Sequence, residues 1–384
     1  MYKRQLVGSV TSFENFAECP LRYYLRYGVD LKEREEFTFS PVNFGVVLHA
    51  VIREVCDEIK KNGESYYLIS EEKRREMVKR SVAAITDIYQ NSILKDSSRN
   101  SFMIKRMEDL ADRTVWAMGE QLKCGDFVPF VFEHKFNMEV GDGDRKQLMS
   151  GTIDRVDICE NGTDVYVRII DYKTGKKDFN IVKTYYGIDI QLMVYMEAAM
   201  KLVAKMRPGK NVIPAGVFYY NISDPIVSAT TESAEEIEDK IKGELRLKGM
   251  VNSDKDIAEK MDNTGGTSLN IPVSRKADGG FDSRRSKVMN TEQFNMLGRF
   301  VDVRAVDTAD RIAGGDIRRS PYKDGQFSSC DRCPYGAVCG FSVDLPGCNY
   351  RKLKKFDDEV LWNNIKEGVD ENGKKMDTGA EERD

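Results

Sequence analysis

Apolar residues recur every three or four positions through the first third of the chain, the spacing of one face of an α-helix. This spacing predicts a helical element over residues 11–27, which opens with the capping-box pattern Thr11-x-x-Glu14. It predicts a second helix over about residues 42–60, with one apolar stripe and His49 beside it. Further helices are expected between residues 70 and 121.

From residue 127 the pattern changes to the two-residue alternation of β-strands. Strands are predicted over residues 127–138, 148–158 and 164–173. Asn161-Gly162 lies between the last two and is typical of a two-residue hairpin turn, because both central positions of such a turn need positive φ. We therefore expect an antiparallel hairpin in the middle of the chain.

In the second half of the chain, helical patterns and strand patterns follow one another. They predict a helix over 186–205, a strand over 215–222, a charged helix over 233–248 stopped by Gly249, a polar insertion at about 250–288 and a long helix over 291–313. The expected class is α/β or α+β, with a small mixed central sheet flanked by helices. We expect one domain over residues 1–350 and a charged, disordered tail over 351–384.

Composition limits the kinds of function that this chain could have. The 384 residues carry a formal net charge of -4, and the sequence has no apolar stretch of the ~18 to 20 residues that a membrane span needs. A soluble, cytoplasmic protein without membrane partners is expected. Basic clusters at residues 173–177, 318–319 and 351–355 could contact phosphates, although solvated surface charge is the simpler interpretation of each.

The hairpin brings two acids together. With Asn161-Gly162 as the loop, Asp154 faces Ile169, and Asp171 is its diagonal neighbour on the same face, roughly 7 to 8 Å away. Lys173 shares that face. Two carboxylates at this spacing can clamp one divalent ion, although the same residues could instead be a polar hairpin face with Asp171 paired to Lys173.

Hydrolysis of a phosphodiester would suit such a site. Mg²⁺ or Mn²⁺ takes carboxylate oxygens and can activate a water, and an ammonium group such as that of Lys173 can neutralise developing charge. Gln191 and Tyr195 are four residues apart on one helix face and could reach the same phosphate. His49 could complete the metal shell, although a lone helical histidine is more often structural. Glu133 is a possible additional ligand.

These motifs carry a specific resemblance. Gly151-Thr152-Ile153-Asp154-Arg155-Val156-Asp157, Ile170-Asp171-Tyr172-Lys173-Thr174-Gly175-Lys176, Gln191-x-x-x-Tyr195 and Gly45-x-x-x-His49 together resemble the RecB-type branch of the PD-(D/E)XK nucleases. The resemblance implies that His49, Asp154 and Asp171 form a metal site. It implies that Lys173 is the catalytic lysine and that Gln191 and Tyr195 form an accessory motif.

Eight cysteines in a cytoplasmic chain favour metal binding or burial over disulfides. Cys330-x-x-Cys333-x-x-x-x-x-Cys339 supplies three thiolates from one loop, and Cys19 could supply a fourth. Four thiolates suit zinc or an iron-sulphur cluster, and spacing alone favours zinc. The resemblance implies a 4Fe-4S cluster instead, because iron-sulphur nucleases of this branch carry one cysteine before the nuclease motifs and three after them.

Within the branch, the sequence is similar to the C-terminal nuclease region of the B subunits of bacterial AddAB helicase-nucleases. The similarity lies in the insertion after Leu247 and in the segment from Cys333 to Phe341. It implies an exonuclease that cleaves single-stranded DNA during double-strand-break processing, with a helicase subunit similar to AddA as its partner. The sequence has no Gly-x-x-x-x-Gly-Lys-Ser/Thr loop, so we do not expect it to hydrolyse ATP.

Two other functions fit part of the pattern. A free-standing iron-sulphur exonuclease similar to the CRISPR adaptation nucleases shares the catalytic and cysteine motifs, but such proteins are typically shorter and lack the insertion. A catalytically silent DNA-binding module would have no need for the acids Asp154 and Asp171 on one face, so the intact motif favours an enzyme.

Overall fold

The computed structural model describes residues 7–32, 41–89, 98–141, 146–227 and 233–370. Its α-helices are α1 (Val10–Glu18), α2 (Pro20–Tyr23), α3 (Pro41–Lys61), α4 (Glu71–Tyr89), α5 (Ser98–Lys123), α6 (Ile181–Tyr185), α7 (Gln191–Met206), α8 (Ala234–Glu244), α9 (Lys255–Met261), α10 (Thr291–Ala313), α11 (Gly336–Cys339) and α12 (Asp358–Asp370). A π-helical turn, Tyr24–Gly28, follows α2. In the described part of the chain, no helix is both long enough and apolar enough to cross a bilayer.

The strands are β1 (Val7–Ser9), β2 (Val128–Val140), β3 (Gln147–Asn161), β4 (Asp164–Lys173), β5 (Asn211–Asn221), β6 (Lys248–Asn252), β7 (Val288–Met289), β8 (Tyr322–Asp324), β9 (Phe327–Ser328) and β10 (Arg351–Lys352). The first seven form one mixed sheet in the order β1-β3-β4-β5-β6-β7, with β2 also paired to β3. Strand β4 runs antiparallel to β3 and parallel to β5. The expected class, a mixed sheet flanked by helices, is confirmed.

Each face of this sheet carries an apolar core. Alternation along β4 sends Tyr166 and Ile170 to the core beneath α3, α4 and α5, and sends Val167 and Ile169 to the core beneath α7 and α10. Burial of apolar surface on both faces explains why β4 contains a nearly continuous run of apolar residues. The strand that carries Asp171 is therefore fixed from both sides.

The hairpin between β3 and β4 differs from its predicted register. Asn161 pairs with Asp164, and Ile169 faces Val156 and not Asp154, so the register is displaced by two residues. Gly162 takes positive φ (59°), but Asn161 remains in the strand, where its side chain donates to the Asp256 carboxylate at 3.1 Å. A displacement of two keeps every side chain on its predicted face.

Two helix boundaries were predicted wrongly. The helix predicted over 186–205 begins only at Gln191, after Gly187 with its positive φ of 76°. The helix predicted to stop at Gly249 ends at Glu244, and Gly249 lies inside β6. A Cβ atom at position 249 would lie 1.9 Å from the carbonyl oxygen of Val217, so this glycine permits a close approach of two strands.

The limits of the insertion and the tail also change. Strand β6 belongs to the central sheet, so the excursion away from the sheet spans residues 253–287 and includes α9. The tail predicted from residue 351 contains β10 and α12, whose Leu361 and Ile365 are buried in the core beneath α10. Their apolar spacing of four residues places both on one helix face. Residues 371–384 of the predicted tail lie outside the described residues.

Candidate active site

Asp154 lies where the β3–β4 ladder ends. The last pair of the ladder is Arg155 with Ile170, and the same register extended by one residue places Asp154 opposite Asp171. The carboxylate Oδ2 of Asp154 accepts a hydrogen bond from the backbone N–H of Tyr172 at 2.6 Å, in place of a backbone acceptor. Asp154 is therefore held by the strand that carries the second acid.

The Asp171 carboxylate is enclosed by polar partners. Its Oδ1 accepts a hydrogen bond from Gln191 Nε2 at 3.1 Å, and its Oδ2 lies 2.5 Å from Lys173 Nζ. Burial and the nearby Asp154 carboxylate raise the pKa of Asp171 to about 7, against the lowering effect of Lys173. Two buried carboxylates that repel each other favour a bound cation.

Gln191 joins the lysine to the acid. Its Oε1 accepts from Lys173 Nζ at 3.0 Å, while its Nε2 donates both to Asp171 and to the Tyr195 hydroxyl at 3.0 Å. Gln191 and Tyr195 share one face of α7, as their spacing predicts. The absence of a side chain at Gly151 makes room for Tyr195, because a Cβ there would lie 2.9 Å from its ring.

Three further ligand atoms converge next to these groups. His49 Nδ1 lies 3.4 Å from Asp154 Oδ1 and 3.6 Å from Glu133 Oε1, and the three ligand atoms all lie within 4.8 Å of one another. Burial lowers the pKa of His49, but its hydrogen bonds to Asp154 and Glu133 outweigh burial and raise that pKa to about 10. One imidazole nitrogen and two carboxylate oxygens are a donor set that suits a divalent metal ion.

The backbone at Glu133 is strained. Its φ is 46°, one of two positive values among the described non-glycine residues. Phe132 pairs with Arg155 and His134 with Ile153, so Glu133 lies opposite Asp154 in β3. A left-handed conformation at a non-glycine residue costs roughly 1 to 3 kcal/mol and is concentrated at functional sites. At Glu133 this conformation occurs in a residue whose own carboxylate lies near His49.

Comparison with known proteins identifies the family. The model of the PD-(D/E)XK nuclease superfamily matches residues 8–340, which include every residue of this site. The chain belongs to the PD-(D/E)XK nuclease superfamily. The predicted resemblance to that family is confirmed.

Two curated relatives are named as the B subunit of an ATP-dependent helicase/deoxyribonuclease. The protein from Thermoanaerobacter sp. (strain X514) is 33% identical over 388 residues, which cover 98% of this chain and 33% of the relative. The protein from Lachnoclostridium phytofermentans is 34% identical over 393 residues, which cover 100% of this chain and 34% of the relative. The nuclease chain therefore spans about a third of the length of these relatives.

Sequence patterns missed the role of Glu14. The N-cap of α1 is Ser9 and not Thr11, and the Glu14 side chain caps a different helix. Its Oε1 accepts from the backbone N–H groups of Ile190 (2.9 Å) and Gln191 (3.0 Å) at the start of α7. Helix α7 has no side-chain cap from its own N-cap residue. No local pattern could reveal a cap that lies 176 residues away in the sequence.

A small charged network surrounds this cap. Lys177 Nζ lies 3.0 Å from Asp189 Oδ1, which also accepts from the Tyr219 hydroxyl at 2.6 Å. Burial raises the pKa of Glu14 to about 7, Lys177 opposes that effect and Asp189 adds to it. The network fixes the start of α7, from which Gln191 reaches the active site of the nuclease.

Arg155 and Asp157 of the predicted motif form a separate ion-pair network. Arg155 donates two hydrogen bonds to Asp157, both at 2.7 Å, and Arg168 of β4 donates a third at 2.8 Å. All three side chains are at most 1% exposed. A buried carboxylate between two guanidinium groups ties β3 to β4 directly beside Asp154, so we assign these residues a structural role.

The four predicted cysteine ligands lie together. Cys19, Cys330, Cys333 and Cys339 line one small cavity with Arg22 and Arg319, and all eight cysteines of the nuclease are free thiols. Burial and the neighbouring thiols raise the pKa values of Cys330 and Cys339. Cys348, a further buried cysteine, does not line this cavity. The segment from Cys330 is attached to α1 through Ser329, whose hydroxyl donates to the Glu18 carbonyl at 3.2 Å.

Proposed function

We propose that this chain is a metal-dependent exonuclease domain that cleaves single-stranded DNA while the ends of double-strand breaks are processed for recombination. The observation that carries the proposal is the convergence of His49, Glu133 and Asp154 beside the Lys173–Asp171 pair. Membership of the PD-(D/E)XK nuclease superfamily gives this arrangement its chemical context.

The ligand set fits one Mg²⁺ or Mn²⁺ ion. His49, Glu133 and Asp154 would hold it together with Asp171, whose carboxylate lies on the neighbouring strand. When bound, the ion supplies Lewis-acid polarisation of the phosphodiester and activation of water. The protein itself supplies orientation, because the Asp154 and Asp171 carboxylates are buried and held by hydrogen bonds.

Lys173 and the accessory pair have separate tasks. Lys173 holds a positive charge beside Asp171 and stabilises negative charge that develops on the phosphate. Gln191 keeps the ammonium group of Lys173 in place through its Oε1. Tyr195 accepts from Gln191 and so fixes the orientation of its amide group.

A 4Fe-4S cluster is the group that we assign to Cys19, Cys330, Cys333 and Cys339. The four cysteines line one cavity, and their order along the chain, one before the nuclease motifs and three after them, supports this cluster over zinc. The cluster joins the start of the domain to its end, and eight free thiols support a location in the reducing cytoplasm.

The proposed partner is an ATP-driven helicase subunit similar to AddA. Relatives three times as long are named as helicase/deoxyribonuclease subunits, which supports action within a larger assembly. Base pairs and stacking hold a duplex closed at roughly 1.4 kcal/mol per step. Unwinding that supplies a single strand would remove this cost before cleavage.

The test compares two forms of one DNA sequence. We expect the isolated chain, with Mg²⁺ or Mn²⁺ and without ATP, to digest an end-labelled single strand and to leave the blunt duplex largely intact. Asp171→Ala should not digest either. Equal rates on single strand and duplex would contradict the dependence on a helicase, and undiminished digestion by Asp171→Ala would contradict the proposed site.

A further inference from the structure

A cleft of about 920 Å³ opens beside the active site. Its wall includes Phe44 at the start of α3 and Thr174 after the end of β4. Gly45 of α3 approaches Thr174 closely, since a Cβ atom at Gly45 would lie 3.5 Å from Thr174 Cγ2. Gly45 is one helical turn before His49, and Thr174 follows Lys173. The cleft therefore begins next to the active-site residues His49 and Lys173.

The floor of the cleft is rigidly held. Asn221, at the end of β5, accepts a hydrogen bond from the Lys177 backbone N–H and donates one to the Lys177 carbonyl, both at 3.0 Å. The Lys177 side chain is anchored to Asp189. The loop from Thr174 to Asp178 is thus fixed by its backbone and by one side chain, so the cleft is present before any ligand binds.

The charges along the cleft are not balanced. Three of its seven charged residues form ion pairs with residues outside its lining: Lys177 with Asp189 at 3.0 Å, Asp178 with Lys287 at 2.6 Å, and Asp224 with Arg113 at 3.3 Å.

Within the described ranges, the cleft cations Arg106, Lys176 and Lys248 form no ion pair, and Glu244 is the one cleft acid without such a pair. Burial and the nearby Arg246 lower the pKa of Lys248, while Asp178 and Glu244 oppose that effect. A chain with a net charge of -4 thus presents a locally cationic cleft beside its active site.

Part of the wall is apolar. Phe44, Leu110 and Ile222 line it. A cleft that combines cations with an apolar part of its wall matches a nucleic-acid strand, whose phosphates carry the charge and whose bases present apolar faces.

We infer that this cleft binds the DNA strand next to the phosphate that is cleaved, with Arg106, Lys176 and Lys248 contacting backbone phosphates. The inference rests on the proposed nuclease function for the identity of the strand. It adds a binding surface to that function, because none of these three residues belongs to the metal site or to the accessory pair.

The test measures binding without cleavage. Fluorescence anisotropy of labelled oligothymidylate in EDTA is compared for the wild type, for Lys176→Gln/Lys248→Gln and for the matched control Lys79→Gln/Lys205→Gln. Both double variants remove two lysine charges, but Lys79 and Lys205 are exposed and do not line the cleft. We expect the cleft variant to lose roughly tenfold in affinity. The plot of log K against log salt should become shallower by about 0.7 for each phosphate that the variant no longer neutralises.

Three outcomes would overturn the inference. The first is an equal loss in the control variant, and the second is an unchanged salt slope in the cleft variant. The third is competition by inorganic polyphosphate as strong as that by oligothymidylate of the same charge, because the apolar wall should favour bases. Failure of the wild type to cleave with metal would contradict the proposed function instead, and it is measured separately.

Discussion

The active site and the cysteine site are held in place by different kinds of structure. The acids and Lys173 come from long paired strands, and their side chains hydrogen bond to one another and to α7. The cysteine segment consists of turns, strands of two or three residues and the four-residue helix α11. This contrast teaches that sheet register positions the first site, whereas the second rests on turns and short elements.

Helix α1 contacts both sites. Glu14 in its middle caps α7 at Gln191, and Cys19 follows its last residue. Arg351 donates to the carbonyl groups of Ala17 and Glu18 at the same end.

The largest expected effects distinguish Asp154 from Asp157, two aspartates of β3 with different proposed roles. Asp154→Asn should lower cleavage by about 10³-fold or more, because a metal ligand is lost. Its thermal stability should not fall, since Asn can still accept the hydrogen bond from Tyr172. Asp157→Asn should instead lower the free energy of unfolding by about 3 to 5 kcal/mol, because two buried guanidinium groups lose their counter-ion. Cleavage kinetics and chemical denaturation of both variants check the contrast, and similar profiles for the two would contradict it.

The next effect concerns the cysteine site. Cys339→Ser, purified without oxygen, should lose most of its iron and sulphide and should melt at a lower temperature as a whole, because the cluster joins distant parts of the chain. Cys124→Ser is the control, since Cys124 lies outside the cysteine cavity. Iron, sulphide and zinc analysis with thermal unfolding provides the measurement. One equivalent of zinc without sulphide in the wild type would rule the cluster out.

Glu14 tests the contact between α1 and α7. Glu14→Ala removes the cap of α7 and should lower kcat by roughly tenfold through displacement of Gln191. Glu14→Gln should restore most of that activity, because an amide oxygen can still accept from both backbone N–H groups. Equal loss in both variants would show that the negative charge matters and not the cap.

The stability of Glu14→Gln and that of the wild type should also depend differently on pH. The Glu14 carboxyl, facing Lys177, Asp189 and Tyr219, has its pKa raised to about 7 by burial. It binds its proton more tightly in the folded chain, so its contribution to stability is present at pH 5 and is lost as pH rises through about 7. The free energy of unfolding of Glu14→Gln, relative to the wild type, should therefore increase between pH 5 and pH 8. A constant difference would contradict the shift.

The smallest effect is expected at Tyr195. Tyr195→Phe removes one hydrogen bond to Gln191, whose bonds to Asp171 and Lys173 remain. A single such bond contributes about 0.5 to 1.5 kcal/mol, so kcat/KM should fall roughly 2- to 10-fold. Steady-state cleavage kinetics measure it. A loss as large as that expected for Asp154→Asn would mean that Tyr195 contacts the reacting phosphate directly.

Local patterns predicted the parts of the site that local physics determines. Strand alternation placed the acids on adjacent antiparallel strands, and helical spacing placed Gln191 and Tyr195 on one face. The displaced register did not change the faces, because it differed from the prediction by two residues and not by one.

Other features depend on contacts between distant segments. Gly249 resembled a helix stop because glycine is common there, but its role is set by the Val217 carbonyl of a neighbouring strand. The positive φ of Glu133 occurs between two residues that pair with β3, and the partner of Glu14 is a helix that begins at Gln191. Periodicity carries no information about these contacts.

The central claim is that the preformed acids of the sheet make this chain a metal-dependent nuclease. The most direct measurement is the rate at which metal-free protein cleaves an end-labelled single strand as Mn²⁺ is added, for the wild type and for Asp171→Asn. We expect wild-type cleavage to appear only with the metal, and Asp171→Asn to remain folded and at least about 10³-fold slower at every metal concentration. Cleavage by the wild type in the presence of chelator, or by Asp171→Asn at the wild-type rate, would contradict it.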